Sequence, residues 1–356
     1  MEENVFEHER EENRIFKEGE GVEENIKENE PAEENMFGQR TDLSALEQAV
    51  QALKREIATV VIGQEKMIEL LLAAILADGH VLIEGVPGVA KTLTAKLLAK
   101  TVAVDFSRIQ FTPDLMPADV IGTSVFNPGE NNFQFKAGPL FSNIVLIDEI
   151  NRAPAKTQAA LFEVMEEKQV TVDGCTYPME EPFLVLATQN PVEQEGTYHL
   201  PEAQLDRFLF KIEVGYPSPE EELHILAQYH RAPGSKQLEQ VQPVLSAELI
   251  AGLRANVQGV RIEEKLLSYI AAIVTATRSH KDIYLGGSPR ASIGILNSAK
   301  AVSAMRGRDF VTPDDILFTA LPVLRHRIML NPEKEMEGVT ADQVIEELIK
   351  GIEVPR

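Results

Sequence analysis

Apolar residues are spaced along this chain in three ways, and the changes between them mark its parts. Over residues 1–40 scattered apolar side chains, Val5, Phe6, Ile15 and Phe16 among them, interrupt a polar stretch in which EEN recurs at 2–4, 11–13, 23–25 and 33–35. So little apolar surface cannot offset the entropy of ordering, and 1–40 is predicted to be disordered alone, as a solvated tail or as a docking segment for a partner. From Thr41 the pattern becomes globular: Ser44 followed by Leu46, Ala49, Val50 and Leu53 predicts a capped amphipathic helix entering the first folded domain.

The second pattern is a set of short apolar runs: HVLIE (80–84), FSRIQ (106–110), IVLID (144–148), FLVLAT (183–188) and FLFKIE (208–213). Several are apolar on consecutive residues, which strands need when both faces of their sheet are covered, and helical stretches lie between them. An α/β domain with a parallel sheet is predicted over 41–216. After Gly215-Tyr216-Pro217-Ser218-Pro219 helical periodicity takes over, in 220–229, 247–257, 263–278, 290–305 and 313–323. That predicts a small all-helical domain over 217–356.

Composition narrows the function. The 356 residues carry 56 acids against 34 bases, a formal charge of −22. Residues 1–40 hold 14 acids and 5 bases, a net of −9, leaving 42 against 29, or −13, for the rest. Such a balance disfavours a sequence-independent grip on nucleic acid, which rests on Lys and Arg neutralising phosphates. One Cys (Cys175) makes no intramolecular disulfide, and no HExxH motif or Cys/His cluster suggests zinc, so a reducing cytoplasm fits best. The longest strongly apolar stretch, LLLAAILA (70–77), falls far short of the roughly 20 residues that cross a bilayer and reads as a buried helix. The first residues show neither a positive region nor an apolar one, so no secretory signal is expected.

The chemistry begins where the first strand run ends. Gly85-Val86-Pro87-Gly88-Val89-Ala90-Lys91-Thr92 leads from that strand into the helical run that begins at Leu93, the context of a phosphate-binding loop. Gly85 and Gly88 let backbone N–H groups curl around phosphate oxygens, Lys91 can reach the β and γ phosphates, and the Thr92 hydroxyl can bind Mg²⁺. Ala90 stands where the motif carries Gly, and the loop is expected to survive if that position needs no positive φ. Downstream, Ile144–Ile147 end in Asp148-Glu149, two carboxylates at the C-terminal edge of a strand, where open α/β sheets place ligands. Asp148 would hold Mg²⁺ through water and Glu149 would act as base on the attacking water.

With these motifs in hand, the chain resembles the AAA+ ATPases and, within them, the MoxR family. The resemblance rests on GVPGVAKT (85–92), LIDEINRA (146–153), ATQNP (187–191), LPEAQLDRF (200–208) and GGSPRA (286–291), in that order, and covers about residues 41–330. Ala90 looks like that family's own form of the loop. The resemblance implies a sheet domain followed by a helical lid, with ATP and Mg²⁺ as ligands. It implies that Asn190 is the sensor that helps Glu149 orient water, an Asn-Pro turn residue being the alternative. It implies that Arg207 is an arginine finger reaching into a neighbouring subunit, against a surface ion pair with Asp206 or Glu202. It implies that Arg290, opening a lid helix, is a second sensor touching the γ-phosphate in cis, against an ordinary surface Arg. Val61, Ile62 and Gly63 resemble the box that lines adenine, although Val61 and Ile62 read equally as core. Arg152 resembles a residue of the subunit boundary, with its role open.

Residues 111–138 resemble the helix-2 insert of the clade that includes MoxR, magnesium chelatase and helicase subunits, and 170–177 reads as a hairpin with an Asp-Gly turn. The insert carries Lys136 alone against Asp114, Asp119 and Glu130, and 168–182 carry Lys168 alone against Asp173, Glu180 and Glu181, so a DNA motor is disfavoured. What the resemblance implies is a ring homo-oligomer, drawn as a hexamer, that remodels protein clients, including partners with von Willebrand factor A domains or proteins awaiting a metal cofactor. The alternatives are a magnesium-chelatase-like motor subunit and a nucleotide-gated binding module without turnover.

Overall fold

The consecutive apolar residues of the strand runs serve two cores at once. In the computed structural model, which describes residues 42–86, 88–190, 198, 200–231 and 241–355, alternate residues of each run point to opposite faces of one sheet. Val81, Ile83, Ile144, Leu146, Leu184 and Leu186 face one core, whereas Leu82, Val145, Ile147, Val185 and Ala187 face the other. Period-two alternation thus survives, but with both sets buried it is invisible as polarity. Thr41, Pro87, Pro191 and the acidic segment 1–40 lie outside the described residues.

The elements are α1 (Ser44–Ala58), α2 (Glu65–Leu76), β1 (His80–Gly85), α3 (Lys91–Thr101), β2 (Phe106–Gln110), α4 (Pro117–Ile121), β3 (Gly122–Asn127), β4 (Asn132–Ala137), β5 (Ile144–Asp148), α5 (Ala155–Glu167), β6 (Gln169–Val172), β7 (Cys175–Pro178), β8 (Leu184–Gln189), α6 (Glu202–Leu205) and β9 (Phe208–Val214). The later part holds α7 (Pro219–Arg231), α8 (Ala247–Gln258), α9 (Glu264–Ser279), β10 (Ile283–Leu285), α10 (Pro289–Met305), α11 (Pro313–Leu324), β11 (Met329–Leu330), α12 (Pro332–Met336) and α13 (Ala341–Lys350). The central sheet runs β2-β5-β8-β1-β9 with every pairing parallel. All its C-terminal ends therefore share one edge, and all its N-terminal ends the other.

Helix α1 buries Leu46, Val50, Leu53 and Ile57, the stripe that its spacing predicts. Its cap differs from the expected one: Leu43 occupies the N-cap position, held there by burial, and Asp42 Oδ1 accepts from Ser44 N–H at 2.9 Å. Helix α2 is buried almost all round, from Met67 to Leu76, because it is wedged between the sheet and the lid helices α8 and α10. The lid is helical, with one small antiparallel pair, β10 and β11, added at its side. Its centre is stitched by fully buried Asp315, which accepts from Arg306 at 2.9 Å and Arg308 at 2.6 Å and closes a capping box with Thr312. Among the described residues no helix is long and apolar enough to cross a membrane.

The two insertions are hairpins that touch. The β6–β7 turn is Asp173-Gly174 with φ of 51° and 78°, both left-handed as a two-residue type I′ turn requires. Ser124 of β3 bonds the Asp173 carboxylate, and Phe135 of β4 stacks on Tyr177 of β7 at 4.4 Å between ring centroids.

Candidate nucleotide site

At the C-terminal edge, β1 gives way to the loop 85–90 and then to α3. Gly85 is fixed by its neighbour: a Cβ there would stand 2.6 Å from the Val214 carbonyl oxygen on β9. Gly88 has φ +88°, open only to glycine at low energy. Ala90 caps α3 in the left-handed region at φ 59°, ψ 18°, so its position does take a positive φ. The reason is geometric: the chain must reverse its curl here so that the Ala90 carbonyl can accept from Thr94 N–H at 2.9 Å and start the helix. Val89 is buried, and Val86 and Leu93 pack, partly buried, against the same core, so these side chains anchor the loop. Lys91 Nζ donates to the Gly85 carbonyl at 2.6 Å across the loop, and Thr92 stands beside it in the first turn of α3. Burial lowers the Lys91 pKa, while the nearby carboxylates Asp148, Glu149 and Glu84 oppose that shift.

The paired acids lie at the end of β5 on the same edge. Asp148 is buried, with Oδ2 accepting from Arg108 Nε at 2.6 Å and Oδ1 from the Thr188 hydroxyl at 3.2 Å. Glu149 sits in the left-handed region (φ 58°, ψ 54°) at the head of a 3₁₀ turn over Ile150–Arg152. Its Oε2 accepts from Gln110 at 2.9 Å and pairs with Arg152 at 3.0 Å, and its N–H donates to the Thr188 hydroxyl at 3.1 Å. Thr188 therefore ties both acids to β8, whose end leads directly to half-buried Asn190. Thr92 and Asp148 fit Mg²⁺ of the kind that takes one or two protein oxygens and completes its shell with phosphates and water.

Arg108, Gln110 and Thr188 were not singled out from the sequence. Arg and Gln within the short strand run FSRIQ were the available signal, and register supplies the rest: Gln110 pairs opposite Asp148.

Arg207 and Arg290 are placed together, on the opposite edge. Arg207 immediately precedes β9, whose Phe208 pairs with His80 at the start of β1, while Gly85 at its end pairs with Val214. Six residues of strand put the phosphate loop roughly 17–20 Å from Arg207. Arg207 Nη1 pairs with Glu166 Oε2 at 2.7 Å and donates to the Phe162 carbonyl at 2.5 Å; Arg290 Nη2 pairs with Glu166 Oε1 at 2.5 Å. One carboxylate at the end of α5 thus holds both guanidinium groups. The structure does not bring Arg290 to the phosphate loop: α10 starts where Ser288 bonds Asp206, at the N-terminal edge. Nor does Arg207 pair with Asp206, which is taken by buried Arg327 at 2.8 Å.

Val61 is buried and Ile62 half-buried, which favours packing for the first. Gly63 (φ 75°) opens a cavity of about 340 Å³ bounded by the start of α2, by Glu213–Tyr216 at the end of β9, and by Pro322 and Arg325 of the lid. It lies one strand from Gly85, where a base would extend from phosphates held on the loop.

Comparison with known proteins agrees with the fold. The model of the ATPase family associated with various cellular activities (AAA) matches residues 80–210, and that of the AAA lid domain matches 275–348. The uncharacterized protein YeaC of Bacillus subtilis is 49% identical over 299 residues, 84% of this chain and 92% of its own. A candidate ATPase of known crystal structure from Cytophaga hutchinsonii is 45% identical, with a TM-score of 0.81 over 88% of this chain and 97% of its own. A magnesium-chelatase subunit of Arabidopsis thaliana, ChlI-1, is 26% identical over 68% of this chain and 55% of its own. Chaperone MoxR1 of Mycobacterium tuberculosis is 43% identical over 90% of this chain and 85% of its own, and the chain belongs to the MoxR family of AAA+ ATPases.

Proposed function

We propose that the protein hydrolyses ATP with Mg²⁺ inside a ring of identical subunits, drawn as a hexamer, and uses the cycle to remodel protein clients. In this reading Lys91, Thr92 and the loop N–H groups hold the phosphates. Asp148 holds Mg²⁺ through water, Glu149 acts as base, and Asn190 helps it orient the water. Asp148 is braced by Arg108 and Thr188, so its oxygens are presented in fixed directions.

The observation that carries the proposal is the division of charge between the two sheet edges. The acids and the phosphate loop share one edge, and the arginines that would neutralise a transition state stand on the other, held as a pair by Glu166. A subunit so divided has half a site at each edge, and stacking in a ring joins them: Arg207 and Arg290 of one copy then face the nucleotide of the next. Arg290 acts in trans in this arrangement. The role of Arg152, paired with Glu149, is to hold that carboxylate until nucleotide arrives.

The client role rests on the resemblance and on the relative named a chaperone; partners with von Willebrand factor A domains and proteins awaiting a metal cofactor are the proposed classes. The chelatase alternative is weaker, since similarity to a chelatase subunit is low and partial. A mixing experiment tests the proposal. Arg207→Ala and Lys91→Ala, each inactive alone, are combined, and phosphate release is expected to recover in part where an intact finger meets an intact loop. Absence of recovery at every ratio would sink the shared site. Wild-type protein that binds ATP without releasing phosphate would leave the nucleotide-gated module instead.

A further inference from the structure

Two guanidinium groups share one carboxylate at the N-terminal edge, and that carboxylate stands where a helix least favours it. Glu166 lies in the last turn of α5, which carries no basic residue, so the carbonyl end of the helix repels its charge. Compensation comes from outside the helix: Oε2 meets Arg207 Nη1 at 2.7 Å and Oε1 meets Arg290 Nη2 at 2.5 Å. Lys168, two residues on, is engaged by Asp78 and Glu181 instead. Asp206, beside Arg207 in the chain, is taken by Arg327 and by the Ser288 hydroxyl. Glu166 is thus the counter-charge that Arg207 and Arg290 have in common, one anion against two cations.

Whether it hides the arginines or aims them is decided by which nitrogens it uses. Both contacts of Arg207 run through Nη1, to Glu166 and to the Phe162 carbonyl, and that of Arg290 with Glu166 runs through Nη2. A guanidinium holds five N–H donors in a rigid fork, so Glu166 leaves the Nε–H and the other Nη of each to donate elsewhere. The two side chains are 30% and 51% exposed, within reach of an outside anion. Without the carboxylate between them, the like charges would repel and separate. The link also crosses domains, because Glu166 belongs to the sheet domain and Arg290 opens a lid helix.

We propose that Glu166 is a positioning residue of the shared site, which aims Arg207 and Arg290 together at the phosphates of the nucleotide on the next subunit. The inference rests on the ring reading and adds to it the group that sets the spacing of the two cations before an anion arrives. Its loss slows the neighbour's turnover and leaves the subunit's own phosphate loop untouched.

The test uses the full-length chain and sorts variants by complementation. Glu166→Gln keeps the size of the side chain but removes its charge and turns an amide donor toward one guanidinium. Turnover should fall about tenfold or more, as it does when reacting groups are misplaced. KM for ATP and ADP affinity by calorimetry should both stay within twofold. Mixed with Lys91→Ala, whose arginines are intact, Glu166→Gln should release phosphate faster than the mean of the two alone. Mixed with Arg207→Ala it should not, because both subunits lack the same half of the site. Recovery with Arg207→Ala in place of Lys91→Ala would put the defect in the subunit's own site and overturn the assignment. Turnover at or above wild type would make Glu166 a clamp that hides the arginines, and a loss of ADP affinity as large as that of turnover would make it a structural residue; either overturns it too. Glu166→Ala guards against a folding defect in the first variant, since Ala favours the helix, and should fall in the same class. Arg207→Ala with Lys91→Ala is the control. No recovery there defeats the ring reading and the assignment with it, whereas recovery there with none for Glu166→Gln and Lys91→Ala defeats the assignment alone.

Discussion

The two edges of the parallel sheet are built on opposite principles. Left-handed backbone occurs at both, in Ala90 and Glu149 (φ 59° and 58°) at the C-terminal edge and in Asp78 and Ala103 (φ 55° and 53°), just before β1 and β2, at the other; what the C-terminal edge adds is the phosphate loop with Gly88 at 88° and the paired acids. The N-terminal edge is held by buried side chains bonded to backbone and to one carboxylate. His80 Nδ1 accepts from Val185 N–H at 3.0 Å while its Nε2 faces the Met165 carbonyl at 3.1 Å. Arg327 bonds Asp206 and the carbonyls of Phe208 and Leu209. The first edge thus offers loop backbone and carboxylates to a ligand, whereas the second is a frame of buried side chains bonded to backbone. The comparison forecasts that mutations at one edge change chemistry, and at the other stability.

The largest separation should come from Glu149→Gln. Loss of a general base lowers turnover by roughly 10²–10⁴-fold, while ATP binding and unfolding stability hold, since the Glu149–Arg152 pair is partly exposed and contributes about 1 kcal/mol at most. Phosphate release and urea denaturation on one preparation decide it. Unchanged hydrolysis would remove Glu149 from its role, and a large loss of stability would break the contrast between edges.

Asp206→Ala is the counterpart on the other edge. It leaves Arg327, 4% exposed, without its carboxylate, and breaking a buried pair from one side costs about 3–5 kcal/mol. Arg207 is the adjacent residue, so turnover should fall as well, but ADP affinity should not, because the phosphate loop lies at the far edge. A drop in ADP affinity as large as that in stability would show that the edges are coupled.

Acid titration probes the N-terminal edge without mutation. Burial pushes the His80 pKa from 6.5 to about 4, and burial lowers His326 as well. Both are neutral in the fold, whereas the unfolded chain takes up protons below about pH 6.5. Their stabilisation is therefore complete above that pH and is lost as pH falls toward the folded value. Between pH 7 and 5, His80 alone should remove about 2 kcal/mol. Urea midpoints across this range measure it, and His80→Gln should flatten the slope; an unchanged slope would take His80 out of the account.

What the sequence made legible follows from how these edges are written. The sheet, the loop and the acid pair were readable because each is contiguous in the chain: Val81–Ile83 are buried together, and Asp148-Glu149 follow a strand directly. The bracing of the acids was not, because Arg108, Gln110 and Thr188 reach them through strand register, from about 40 residues away. The position of Arg290 was not legible for a similar reason. Its position in Ser288-Pro289-Arg290 says that a helix begins, but where that helix begins is decided by Ser288 meeting Asp206, a contact across 82 residues. The α1 cap shifted by chemistry too local to rank, since Asp42 can bond Ser44 as readily as Thr41 could cap.

The smallest forecast concerns Ala90, where sequence and backbone disagree most. A side chain in the left-handed region costs roughly 1–2 kcal/mol, whereas glycine adopts it freely but has more freedom to lose on folding. Ala90→Gly should therefore stabilise the chain, by about 0.5–1 kcal/mol after the added entropy of the unfolded state. ADP affinity should stay the same, because glycine can hold the φ of 59° that the loop already has. Loss of affinity with a gain in stability would mean that Ala90 serves by stiffness, keeping the N–H groups of the loop aimed before nucleotide arrives. Loss of stability would show that the left-handed turn is no strain at all. Urea denaturation and calorimetry on the one variant separate these outcomes, because stiffness acts on binding while strain acts on folding.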